Sequence, residues 1–200
     1  MTKYQHIASM SAVHVRNRGT GAGGANTNVS GLSFENRTAN EMRLVEGGWE
    51  RHIIPGAACT KYGYYLKRAD IVYVTKSGLA KYMKHFYGKE VCREPDEAYI
   101  VKRGGRIIVK VLEKKNQTTE GSVDTKLLAG PGFIEEYKFC LGETFDVEYG
   151  FCVSDFLKKK YESEDLKWRA LRSINARHRI SVLYGDDADY FSRLDAWLSS

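Results

Sequence analysis

Two periodicities run through the chain and switch repeatedly. Apolar positions three to four residues apart predict helices; alternation and short apolar runs predict strands. From Leu32 to Val45 the positions Leu32, Ala39, Met42 and Val45 suit a helix, ended by Gly47-Gly48. Tyr64-Tyr65-Leu66 and the run Asp70 to Thr75 read as strands. Ser77 stands where an N-cap would open a helix through Tyr87, and Gly88 would stop it. Ala98 to Val101 and Arg106 to Lys115 are strands on either side of Gly104-Gly105, which is a hairpin signal. Helical patterns follow at Ser122 to Leu128 and Gly132 to Leu141, then a strand from Phe145 to Val153 and a helix from Ser154 to Tyr161. Leu166 to Ile174 reads as helix, Arg179 to Tyr184 as strand, and Asp187 to Leu198 as a last helix. Interleaved helices and strands predict the α/β class, with one mixed β-sheet flanked by helices. A length of 200 residues suits one domain. Residues 1–30 are polar and glycine-rich around Gly19 to Gly24, as expected of a flexible arm.

The hairpin carries the candidate chemistry. With Gly104-Gly105 as a two-residue loop, Arg103 faces Arg106 and Asp96 comes opposite Glu113. Directly opposed side chains have Cβ atoms roughly 4.5 to 5.5 Å apart. Two carboxylates that close repel unless something positive lies between them, and a divalent cation is the obvious candidate where no other neutralising partner is evident. Along the second strand Ile107, Val109 and Val111 share a face that Glu113 and Lys115 continue, while Lys110 and Lys114 lie on the other. A partly buried Glu and Lys require partners, which a metal and a phosphate would supply. Phosphodiester hydrolysis requires stabilisation of phosphate charge and activation of water, and oxygen-bound Mg²⁺ with a nearby ammonium does both. Asp96, Glu113 and Lys115 are the residue types for this, with Lys114 next in line for the lysine's role. The plainer reading is a surface hairpin with solvated charges.

Composition narrows the partners. Hydrophobic residues at 42% and charged residues at 28% suffice for an ordinary core. A net charge of +6 favours nucleic acid or an anionic surface. Between Phe156 and Ser181 there are eight Lys and Arg against three acids, including Arg169 and Arg172, which could track a phosphate backbone or form a solvated face. Cys59, Cys92, Cys140 and Cys152 form no C-x-x-C, and no histidine stands at zinc-finger spacing. No stretch approaches the roughly 20 apolar residues of a membrane span. The N-terminus lacks the apolar core of a signal peptide. An intracellular, cytoplasmic setting without membrane attachment is expected. Gly19, Gly21 and Gly24 match G-x-G-x-x-G, but the polar Ala25 to Asn28 follows instead of an apolar helix, so a flexible or DNA-contacting loop is expected there in place of a nucleotide site.

Pro95-Asp96, followed seventeen residues later by Glu113-Lys114-Lys115, resembles the PD-(D/E)XK motif of restriction-type nucleases. Gln117 is similar to a glutamine often found two residues after that lysine. Gly121 to Leu127, and Gly23 to Asn28 running into Gly31 to Glu35, also resemble segments of site-specific endonucleases of bacteria and large DNA viruses. The resemblance spans roughly residues 20 to 130. It implies a restriction-endonuclease-like core, a catalytic set of Asp96, Glu113, Lys115, Glu35 and Gln117, and a metal set of Asp96, Glu113 and Glu35. The implied activity is that of a type II site-specific deoxyribonuclease on double-stranded DNA, using Mg²⁺, with Mn²⁺ as a substitute. A cognate DNA methyltransferase encoded nearby is a further expectation. Asn26, Asn28, Arg103, Lys126, Arg169 and Arg172 are candidate DNA contacts. One cluster makes one cut, and a double-strand break requires two on antiparallel strands, so a homodimer on a palindromic site is expected. The alternatives are a structure-specific repair or recombination nuclease on the same fold and a non-catalytic DNA-binding protein.

Overall fold

The computed structural model describes residues 32–119 and 121–200. The glycine-rich segment, with Asn26 and Asn28, lies outside them. Residues 32–37 form helix α1. There follow α2 (Glu41–Glu46), β1 (Glu50–Ile53), β2 (Tyr64–Arg68), β3 (Ile71–Val74), α3 (Gly78–Tyr87), β4 (Glu97–Arg103) and β5 (Arg106–Lys115). The second half comprises α4 (Val123–Leu128), α5 (Gly130–Leu141), β6 (Phe145–Val153), α6 (Asp155–Tyr161), α7 (Leu166–Arg177), β7 (Ser181–Tyr184) and α8 (Tyr190–Ser199). The seven strands form one mixed sheet in chain order. β1 to β5 are antiparallel to their neighbours, and β6 and β7 add in parallel. Parallel neighbours require a crossover, and the helical pairs α4–α5 and α6–α7 supply the two. The protein is α/β, as its periodicities predict.

Helices cover both faces of the sheet. On one face, α3 to α7 pack Leu79, Met83, Ile134, Tyr137, Leu157 and Trp168 against Ala98, Ile100, Val109, Val111 and Phe151. On the other, α1, α2 and α8 bring Phe34, Leu44, Tyr190, Leu194 and Trp197 onto Tyr99, Val101 and Leu112. The second face, on which Lys110 and Lys114 lie, is thus covered as well. Both lysines are buried. The Lys110 ammonium donates to the Trp197 carbonyl at 2.7 Å, near the C-terminus of α8, where the helix dipole favours a cation. It also pairs with Glu148 at 2.7 Å.

Local departures from expectation have local causes. The helix anticipated from Leu32 to Val45 breaks at Thr38–Asn40. The Thr38 hydroxyl donates back to the Phe34 carbonyl at 2.8 Å, and the Asn40 backbone N–H and side-chain amide are drawn to Glu97 and Tyr99 on β4. The edge strand β1 has the polar sequence Glu50-Arg51-His52 and exists through its pairing with β2. Ser77 makes no side-chain cap; its hydroxyl accepts from Lys81 at 2.9 Å. Gly88 ends α3 at φ 64°, the left-handed cap expected of it. Trp168 and Trp197 are buried packing residues, and no cysteine is disulfide-bonded. No helix among the described residues is long and apolar enough to cross a membrane.

Candidate active site

The β4–β5 hairpin sets the geometry. Gly104 and Gly105 adopt φ of 57° and 78°, as the two central residues of a type I′ turn must. Arg103 pairs with Arg106 and Glu97 with Leu112, so one step further Asp96 stands opposite Glu113. Alternation then sorts the charges. Asp96, Glu113 and Lys115 share the parity of Ala98, Ile100, Val109 and Val111, facing the α3–α7 layer, while Glu97 and Lys114 face α1, α2 and α8.

Around the carboxylates the partners are lysines. The Lys115 ammonium donates to Glu113 Oε2 at 2.8 Å. Asp96 Oδ2 accepts from the Lys114 backbone N–H at 2.7 Å, and Oδ1 accepts from the Lys76 ammonium. Lys76 also reaches Glu35 Oε2, on α1, at 3.4 Å. The expectation of a carboxylate pair without a neutralising partner is thus corrected, because Lys76 and Lys115 fill that role. Burial would raise the Asp96 carboxyl, but the hydrogen bonds from Lys76 and the Lys114 amide, with the Lys76 and Lys115 charges, outweigh it and hold its pKa below the ordinary value. Glu113 goes the other way. Burial raises its pKa, Lys115 opposes, and the adjacent Asp96 raises it further, leaving it above the ordinary value. Lys76 is pulled down by burial and up by Asp96 and Glu35, and the rise prevails.

A cleft of about 350 Å³ opens beside this cluster, lined by Glu113, Lys115, Lys126, Cys92, Arg93 and Tyr149 among others. Behind it lies a buried ion pair. Lys114 Nζ sits 2.7 Å from Glu97 Oε1 and donates to the Thr38 carbonyl at 3.0 Å. Glu97 also accepts from the Asn40 N–H at 3.1 Å and the Tyr99 hydroxyl at 2.8 Å. The pair ties the hairpin to Thr38 and Asn40, at the junction between α2 and α1, the helix that carries Glu35. Lys114 is therefore committed on the far face and is no substitute for Lys115.

The structure gathers some of the anticipated residues and disperses others. Glu113, Lys115 and Lys126 line one cleft, Asp96 stands opposite Glu113, and Glu35 joins Asp96 through Lys76. Gln117 does not line that cleft. Its side-chain amide donates to the Thr119 carbonyl, and its backbone brackets the Ser154 hydroxyl. Arg103, at the opposite end of β4, donates to the Ser199 and Ser200 carbonyls. Arg172 donates to the Ser163 carbonyl at 2.6 Å and pairs with Glu164 at 3.2 Å, a role in the α6–α7 connection. Arg169 is exposed and 3.9 Å from Glu164. Lys76 had no sequence signal of its own. Extending the pairing of Val74 with Ala98 by two residues brings it opposite Asp96, but the intervening helix α3 conceals that register in the sequence.

No protein-family model, curated protein or solved structure matches the chain. The donor chemistry itself can be weighed against a metal. Carboxylate oxygens suit a hard cation, and Mg²⁺ commonly takes one or two protein carboxylates and completes its shell with water and phosphate. Asp96 and Glu113 provide two. Among the described residues no group of three or more His, Cys, Asp or Glu converges to hold an ion. A two-carboxylate magnesium site fits these residues; an all-protein cage does not.

Proposed function

We propose that the protein is a Mg²⁺-dependent, site-specific endonuclease of double-stranded DNA, of the type II restriction kind, on a restriction-endonuclease-like core. The observation that carries this reading is the juxtaposition of Asp96, Glu113 and Lys115 on one face of the β4–β5 hairpin, beside a cleft that Lys126 also lines. Asp96 and Glu113 would hold the ion, which supplies charge stabilisation at the phosphate and an activated water. Lys115, with a side chain 20% exposed, would orient that water or stabilise the phosphate. Lys126 would contact the nucleic-acid backbone. Two copies related by a two-fold axis would cut both strands of a palindromic site.

Digestion of a sequenced plasmid, followed by sequencing of the fragment ends, tests this. Defined ends are expected with Mg²⁺ or Mn²⁺ and no product in chelator. Cleavage undiminished in EDTA would remove the metal from the mechanism. A smear of random ends would favour a structure-specific nuclease. Glu113→Ala and Lys115→Ala are expected to abolish cleavage with the fold retained in a thermal melt, and Glu35→Ala to act more mildly. Sedimentation with a cognate duplex should give two protomers per duplex; one protomer, with nicked circles preceding linear product, would reject the dimer alone.

A further inference from the structure

Lys76 lies outside every motif in the sequence, yet the fold holds it in place from both ends. Its backbone has φ 49°, a left-handed conformation that a residue with a side chain adopts at a cost. Its N–H donates to the Pro95 carbonyl at 2.9 Å, immediately before Asp96. Its ammonium bridges Asp96 on the sheet and Glu35 on α1, two carboxylates from different layers. Lys115 is already engaged with Glu113. Lys76 and Lys115 are thus the ammonium groups in direct contact with the three carboxylates, and Lys76 alone of the two bridges Asp96 and Glu35.

We propose that Lys76 is the resident counter-ion of this carboxylate cluster, holding it assembled without metal and giving up Asp96 when a divalent cation binds. The proposal rests on the metal-dependent reading above. The physical argument is competition. An oxygen that accepts from an ammonium cannot also ligate a dication without bringing two cations into close repulsion in a partly desolvated site. Asp96, at 15% side-chain exposure, has little other access, since Oδ2 is taken by the Lys114 amide. Lys76 has the means to leave: its side chain is 31% exposed and has a flexible four-carbon stem. Displaced towards solvent, its ammonium becomes available to a DNA phosphate, so metal and DNA would bind cooperatively through it.

Two measurements on the full chain test this. The first is calorimetric titration of Mn²⁺ into the wild-type protein, Lys76→Met and Asp96→Asn. Lys76→Met is expected to bind roughly tenfold more tightly than wild type, the equivalent of ~1.4 kcal/mol, and Asp96→Asn to lose binding. The second needs no variant. Amine acylation read by mass spectrometry should label Lys76 weakly in EDTA and severalfold more in saturating Mn²⁺, with Lys84, exposed beside Glu90, as the unchanged reference. Wild-type binding with unaltered Lys76 labelling, or Lys76→Met binding no tighter than wild type, would overturn the counter-ion role and leave the nuclease reading standing. Binding by Lys76→Met alone would support it in its strongest form. Absence of Mn²⁺ binding by both proteins would overturn both this role and the metal-dependent reading.

Discussion

Glu113 is held in a state that disfavours the fold at neutral pH. Its pKa is raised above the ordinary 4.5, first by burial and then by Asp96. From about pH 4.5 up to that raised value, the folded chain binds more protons at this site than the unfolded chain, so stability falls as pH rises and stays lower above the window. Asp96 behaves oppositely: its contribution is present above 3.8 and is lost as pH falls through its depressed value. Glu113→Gln, melted in EDTA, should therefore gain on the wild type between pH 4.5 and pH 8, although the proposed cleavage would be lost. A gain that shrinks over that range would contradict the assignment. The residues of this cluster were unequally legible in the sequence. Asp96, Glu113 and Lys115 could be paired because a two-residue glycine turn fixes their register by counting. Lys76 could not, because the register of β3 against β4 depends on how α3 packs. Gln117 had the right spacing, but the strand ends at Lys115 and its side chain turns to Thr119.

At the scale of elements, the hairpin is defined by what lies on its hidden face. The side chains of Glu97 and Lys114 are 2% and 4% exposed, so either one alone would be a buried, unpaired charge. Lys114→Met is expected to cost roughly 3–5 kcal/mol, the usual penalty for breaking a buried pair from one side. Adding Glu97→Gln removes the stranded charge and keeps an acceptor for the Asn40 N–H, so the double variant should be more stable than Lys114→Met. Denaturant unfolding of the cycle would reveal this as coupling, and strictly additive losses would contradict it. The same pair explains why the helix in the first segment was overestimated. Periodicity in Leu32 to Val45 is helical on either side, but the backbone at Asn40 is recruited by a glutamate fifty-seven residues away. Strands with apolar runs, such as β3, β5 and β6, were legible. The edge strand β1 was not, since its polar residues carry no period and its identity comes from its partner.

At the scale of the molecule, the two helical layers differ in how the chain supplies them. The α3–α7 layer comes from one continuous stretch around the strands it covers. The other layer is closed by α1 and α2 with α8, whose contacts join residues 152 apart in sequence: Arg43 to Asp195 at 2.5 Å and Tyr190 to the Thr38 carbonyl at 3.5 Å. Its inner surface includes the ammonium groups of Lys110 and Lys114, which water solvates readily once the layer lifts, so exposing this face costs less than exposing an apolar one of equal area. Amide hydrogen exchange should show α1, α2 and α8 losing protection together, at a lower opening free energy than β5 and β6. In that partly open form Glu35 departs with its layer, while Asp96, Glu113 and Lys115 stay on a paired hairpin. Breathing of a layer that does not bear the carboxylate pair would then set how often the third carboxylate is present, and Arg43→Ala, which loosens the join without touching the cleft, should raise exchange in all three helices at once.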